Sequence, residues 1–143
     1  MSHSFTSILV HCVFSTKHRK NMIPADTQPQ LWGYLSGIAK RLSIPMLAIG
    51  GIENHAHLLF ALPPTLNLSY AVKELKGGSS RWMQEKGVSF EWQEGYSAFS
   101  VSPPAASAVK RYIAAQREHH RKRSFEEEFS ELLSKCGVKL DVR

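Results

Sequence analysis

The chain has 143 residues, 43% of them hydrophobic and 21% charged, which fits one folded domain with a substantial core and excludes wholesale disorder. Its formal net charge is +6 and its sequence pI is near 9.5, so an anionic partner is expected, nucleic acid ahead of a membrane surface. No apolar run approaches the roughly 20 residues of a membrane helix. The first residues lack the pattern of a secretory signal, and Cys12 and Cys136 stand far apart with no CxxC spacing, so a cytoplasmic, reduced setting without a cysteine-built zinc site is expected.

Phe5 to Ser15 (FTSILVHCVFS) reads as a strand with both faces fairly apolar: Ile8, Val10, Cys12 and Phe14 on one, Leu9, His11 and Val13 on the other. A strand of that kind is central and covered on each side. The basic loop TKHRKNMIP follows. Leu31 to Leu42 is helical, with Leu31, Tyr34, Leu35, Ile38 and Leu42 at steps of three and four. Ile44 to Ile52 and Asn54 to Leu62 form a hairpin that Pro63-Pro64 terminates. Asn67 or Ser69 caps a second helix carrying Leu68, Val72, Leu75 and Trp82, where Gly77-Gly78 marks a close approach or a bend. Ser97 to Ser102 is a fourth strand, and a third helix runs from about Ala106 to Lys122. Ser124 and Glu127 make a capping box for a last helix with Phe125, Phe129, Leu132 and Leu133 in its stripe. The order β-α-β-β-α-β plus two helices predicts a ferredoxin-like α+β antiparallel sheet. Its first two helices cover one face and leave the other for the C-terminal segments.

Two places in this plan carry chemistry. In GIENHAHLLF, His55 and His57 alternate around Ala56, so both imidazoles point to one face, about 7 Å apart along the strand. Standing alone, an H-x-H pair is more often one packed and one solvated imidazole, and a metal would need a further protein ligand. His11 shares that face and is a candidate partner. In the third helix, Tyr112, Gln116 and His120 are spaced by four and form one polar ridge. Taken alone, the ridge reads as an ordinary surface helix. With the histidines, Gln116 could ligate a hard cation, and Tyr112 could attack a phosphorus that the cation aligns.

The blocks HCVFSTKHR, ENHAHLLF, LKGGSSRWM, WQEGYSAFSVS and YIAAQREHHRKRSFEEEF, in this order, resemble the insertion-sequence transposases of the single-tyrosine HUH class, including the relatives associated with repetitive extragenic palindromes. The resemblance covers nearly the whole length as a single transposase domain, residues 1–143. It implies that His55, His57 and Gln116 hold Mg²⁺ or Mn²⁺ and that Tyr112 is the nucleophile. It also implies transposition by nicking and rejoining single-stranded DNA through a 5′-phosphotyrosine, recognition of DNA hairpins, and a homodimer in which the tyrosine commonly serves the partner's histidines.

For the nucleic acid itself, Lys17, Arg19 and Lys20 of the first loop, with Lys73, Lys76 and Arg81 of the second helix, are the candidate phosphate contacts. Trp92, Tyr96 and Phe99 are candidates for stacking unpaired bases, while Trp82 reads as core. The Phe125 to Leu133 stripe is expected to pack on a partner copy or on the sheet. The alternative reading is a non-catalytic ferredoxin-like nucleic-acid-binding module, which wants aromatic rings on the strand that here carries histidines. A metal-dependent hydrolase, with water in place of tyrosine, is a second alternative.

Overall fold

A computed structural model describes residues 4–138. Strands β1 (Leu9–Ser15), β2 (Met46–Ile52), β3 (His55–Ala61) and β4 (Ser97–Val101) form one sheet in the order β2-β3-β1-β4, every pair antiparallel. Helices α1 (Gln28–Arg41) and α2 (Leu68–Glu85) follow β1 and β3, which gives the expected ferredoxin-like arrangement with β1 and β3 central. After β4 come α3 (Ala106–Ala114), a short helical turn α4 (Gln116–His119) and α5 (Phe125–Lys135).

Period-two alternation in β1 and β3 decides what each face meets. Val10, Cys12 and Phe14 with Ala56, Leu58 and Phe60 point to one side, where Leu31, Leu35 and Ile38 of α1 and Ala71, Val72 and Leu75 of α2 complete the main core. Burying a leucine such as Leu58, which is 0% exposed, stabilises the fold by about 1.5–3 kcal/mol. The Asn67 side chain caps α2 by accepting from the Tyr70 N–H. Gly78 marks a close approach and not a bend, since α2 is unbroken and a Cβ there would lie 2.8 Å from Ile38 Cδ1. Lys76 also turns inward: its ammonium donates to the carbonyls of Gln93 (2.7 Å) and Gly95 (2.6 Å) and fixes the loop before β4.

The opposite face presents His11, Val13, His55, His57 and Phe99. There Phe125 and Leu133 of α5 pack on Val13 and Phe99, so the C-terminal stripe lands on the chain's own sheet. The capping box forms at Ser124 and Glu127 as expected and fixes where α5 starts. Helix α3 lies against β2 because Gly50 has no side chain: a Cβ there would meet the Ile113 carbonyl oxygen at 2.5 Å. Gly50 pairs with His57 across the ladder, so this contact brings α3 alongside the histidines.

Two expected elements differ, the first being β1, which begins at Leu9 and not at Phe5, a residue left exposed. The third helix does not run unbroken to Lys122; it leaves helical geometry at Ala115 (φ −98°, ψ 20°) and resumes as α4. No proline or glycine marks the break. Its cause is tertiary: Ile113 packs on β2, Gln116 turns its side chain into the interior, and Arg117 pairs with Glu53 at 3.0 Å.

Candidate active site on the second face of the sheet

His55 and His57 are both 0% exposed. A buried imidazole needs partners for its nitrogens, and each has one fixed by a neighbour. The Nδ1 of His55 lies 2.8 Å from Asn54 Oδ1, and the Nδ1 of His57 lies 2.8 Å from His11 Nε2. Burial, reinforced by neighbouring His57, lowers the His11 pKa to about 3, so that ring is neutral and can accept the His57 Nδ1–H. Burial likewise lowers the pKa of His57. These outer contacts orient both rings and leave both Nε2 atoms facing inward.

They face Glu128 of α5. Its Oε1 lies 3.3 Å from His55 Nε2, 3.2 Å from His57 Nε2 and 3.1 Å from His120 Nε2. Its Oε2 accepts from the Gln116 amide at 3.0 Å and from the Tyr112 phenol. Gln116 Oε1 in turn lies 3.0 Å from His55 Nε2. Burial alone would raise the Glu128 pKa, but hydrogen bonds from His55 and His57 outweigh it and hold the carboxyl well below the usual range. Tyr112 moves the other way. Burial and its hydrogen bond to Glu128 keep the phenol protonated.

The donor chemistry fits a divalent cation. With Nδ1 of His55 turned to Asn54 and Nδ1 of His120 turned to the Arg123 carbonyl (2.9 Å), both Nε2 atoms aim at the same carboxylate oxygen. That arrangement is repulsive unless a proton or a cation lies among them. His55, His57 and Glu128 each offer one ligand atom, all within 4.8 Å of one another. Two imidazole nitrogens, a carboxylate and the nearby amide oxygen of Gln116 suit a hard or borderline ion.

The structure thus brings together the four residues singled out as metal ligands and nucleophile. The Tyr112 ring lies 5.6 Å from that of His57 in the same chain, and the ridge Tyr112, Gln116, His120 survives the break at Ala115 because all three side chains meet at Glu128. Glu128 itself was not expected. Its signal was present in FEEEF: of three successive glutamates, only Glu128 stands three residues after Phe125 and four before Leu132, on the apolar stripe. A lone carboxylate in such a stripe asks for a buried partner.

The basic residues divide between two places. Lys17, Arg19 and Lys20 follow β1, and the Thr16 N–H bonds the Asn54 carbonyl (3.0 Å), so this loop borders the His55 end of the site. Lys17 pairs with Glu91 at 2.9 Å, and Arg19 pairs with Glu126 at 2.7 Å while its guanidinium covers the Phe125 ring at 4.8 Å. Lys73 and Arg81 are exposed on α2, beyond the sheet from the histidines, and Lys76 is committed to its two carbonyls. Trp92 and Phe99 are taken up by packing, Trp92 against Phe14 and Phe90 with its indole N–H on Ser79; of the three ring candidates only Tyr96 is exposed. Trp82 stacks on Tyr34. Among the described residues no helix is long and apolar enough to cross a membrane.

A buried histidine pair, a carboxamide and a tyrosine are gathered on one face of a ferredoxin-like sheet, as the resemblance to the single-tyrosine transposases implies. The family model for IS200-like transposases matches residues 4–116, and this chain belongs to that family. It is 26% identical over 117 residues to the ISDra2 transposase TnpA of Deinococcus radiodurans, covering 76% of this chain and 83% of that protein. To the transposase for insertion sequence element IS200 of Salmonella typhimurium it is 23% identical over 129 residues, covering 85% and 84%. Among solved structures, a transposase from Deinococcus radiodurans superposes with a TM-score of 0.64 at 22% identity, over 81% of this chain and 96% of that one. A REP-associated tyrosine transposase bound to a REP hairpin superposes equally well, at 0.64 and 13% identity, over 84% and 72%. The chain is therefore a transposase enzyme of this family.

Proposed function

We propose that this transposase nicks and rejoins single-stranded DNA through a 5′-phosphotyrosine on Tyr112, acting as a single domain in the cytoplasm. The observation that carries the reading is the convergence of Tyr112, His55, His57 and Gln116 on Glu128 from β3, α3, α4 and α5. His55, His57 and Glu128, with the Gln116 carboxamide oxygen, would hold Mg²⁺ or Mn²⁺. When bound, that ion supplies Lewis-acid polarisation and alignment of the phosphodiester. The side chains do the rest. His11 and Asn54 fix the two imidazoles, and Gln116 bridges His55 to Glu128. Tyr112 directs its proton at Glu128 Oε2. The phenolate oxygen forms a bond to phosphorus as the P–O3′ bond breaks, and the departing strand leaves with a 3′-OH. A phosphodiester replaces a phosphodiester, so rejoining is the same exchange reversed and needs no nucleotide cofactor.

The neighbour solved with a REP hairpin supports a structured single strand as the substrate. Lys17, Arg19 and Lys20 are the backbone contacts nearest the site, with Lys73 and Arg81 available only to a strand that wraps round to α2. A homodimer is expected from the resemblance, and the place of Tyr112 beside the histidines of its own chain supports a reading in which each copy supplies its own nucleophile.

The test is covalent capture. Labelled single strands from the protein's own locus, incubated with Mg²⁺ or Mn²⁺, should give a denaturation-resistant adduct that needs the ion. Mixing Tyr112→Phe with His57→Ala should restore no adduct, because neither chain holds a complete site. Restored adduct would place the tyrosine across a dimer. Cleavage without adduct would hand the reaction to water, and binding without cleavage would leave only a binding module.

A further inference from the structure

A cavity of about 760 Å³ opens beside the nucleophile, and none of the roles described so far uses it. Tyr112, His11 and Glu128 join it to the reacting centre. Its walls are small and apolar: Ala105, Ala108 and Val109 from the start of α3 and the turn before it, and Leu132 from α5. Lys122, Arg123 and Lys135 stand at its rim, with His119, whose ring packs 4.8 Å from that of Tyr112. The size is within the range that takes one small organic ligand.

The charges at the rim are not balanced evenly. Glu131 is shared between Arg123 and Lys135, and Glu118 pairs with Arg121 at 3.4 Å. Lys122 has no ion-pair partner among the described residues. An apolar slot with an imidazole on its wall and a cation at its mouth suits a planar ring attached to an anion, and here the slot borders a residue read as attacking a phosphate. We propose that the cavity holds one unpaired nucleobase, that of the nucleotide directly 3′ of the scissile phosphate. This rests on Tyr112 as the nucleophile. In the covalent intermediate that nucleotide is the one bonded through its 5′-phosphate to Tyr112, whereas the strand ending in the 3′-OH is released. The base is thus tethered one phosphodiester away from the cavity wall. Lys122 meets the next phosphate, and the base packs between Ala108, Leu132 and the His119 ring.

The C-terminal helix is essential to this site. The family match ends at Gln116, while Lys122, Leu132 and Lys135 lie beyond it, so the matched segment alone does not build the cavity. Base preference beside the cut then depends on residues 117–135 together with the walls that α3 supplies.

The experiment is a binding cycle without metal, so that chemistry does not enter. An abasic site is moved one position at a time along the strand, and affinity is measured by fluorescence anisotropy for the wild type and for Ala108→Trp. Ala108 is exposed, so the larger ring fills the cavity without disturbing the core. One position should weaken wild-type binding about tenfold when its base is removed, the scale of one lost stacking contact. Ala108→Trp should lose the same factor on the intact strand and bind the abasic strand no worse than the wild type does. Ala108→Leu should lie between. If Ala108→Trp weakens every strand equally, or no position responds, the cavity is not a base site. Mapping the adduct then fixes the position: a responsive base anywhere but 3′ of the cut overturns the assignment. Should no adduct form while the binding cycle holds, the base site stands and Tyr112 as nucleophile falls.

Discussion

The two faces of the central strands are equally buried and yet are built on opposite terms. Cys12, Phe14, Ala56, Leu58 and Phe60 pack against the apolar side chains of α1 and α2. One residue along in each strand, His11, His55 and His57 meet α3, α4 and α5 through a polar network centred on one carboxylate. Burial does not distinguish them, because His55, His57 and Leu58 are all 0% exposed. What differs is the penalty for an error. On the apolar face a substitution is judged by volume. On the polar face each donor and acceptor must be matched, and among the described residues no buried side-chain nitrogen or oxygen lacks a partner. Stability is concentrated on one face and chemistry on the other.

That division can be broken by a pair of substitutions. Tyr112→Phe removes one of the five groups that contact Glu128 and should abolish adduct formation altogether while the protein stays folded by circular dichroism. Leu58→Ala should do the reverse. It is expected to cost about 2–5 kcal/mol in urea denaturation and to leave adduct yield per folded molecule unchanged. An inactive but fully stable Leu58→Ala protein would show that the two faces are coupled through β3.

A finer cut separates the residues that touch the reacting groups from those that orient them. His11→Phe keeps an aromatic ring at this buried position but removes the acceptor for His57 Nδ1. Mn²⁺ affinity, read by electron paramagnetic resonance, should fall about 10- to 100-fold, beside a loss of about 1–3 kcal/mol in the metal-free protein from the unpaired His57 N–H. Unaltered Mn²⁺ affinity would mean that His57 is held by its packing alone.

The fold was legible because its signals are local. Alternation in β1 and β3, the Asn67 cap and the Ser124 capping box each act within a few residues, and each appears where it was expected. The histidine pair and the Tyr112, Gln116, His120 ridge were legible for the same reason. Two features were not. The break at Ala115 has no breaker residue, because its cause is the contact of Ile113 with Gly50, more than 60 positions away in the chain. Glu128 was hidden by its neighbours: Glu126 and Glu127 are ordinary first-turn acids that favour a helix start, and they disguise a third glutamate that turns inward.

The smallest effect tests which face the nucleic acid follows. Each phosphate contact on a single strand contributes about 0.7 to the slope of log affinity against log salt. Lys20 is exposed beside the site and has no ion pair among the described residues, so Lys20→Ala should flatten the slope by about that amount. Lys73→Ala, on α2 behind the sheet, should leave it unchanged if the strand stays on the histidine face. Lys76→Met is the control with a different signature. Its ammonium is spent on the Gln93 and Gly95 carbonyls, so its loss should lower the thermal midpoint and loosen the loop before β4 without altering the salt slope. Equal flattening by Lys20→Ala and Lys73→Ala would mean that the strand wraps both faces, and the separation of stability from chemistry would then hold for the core but not for the surface.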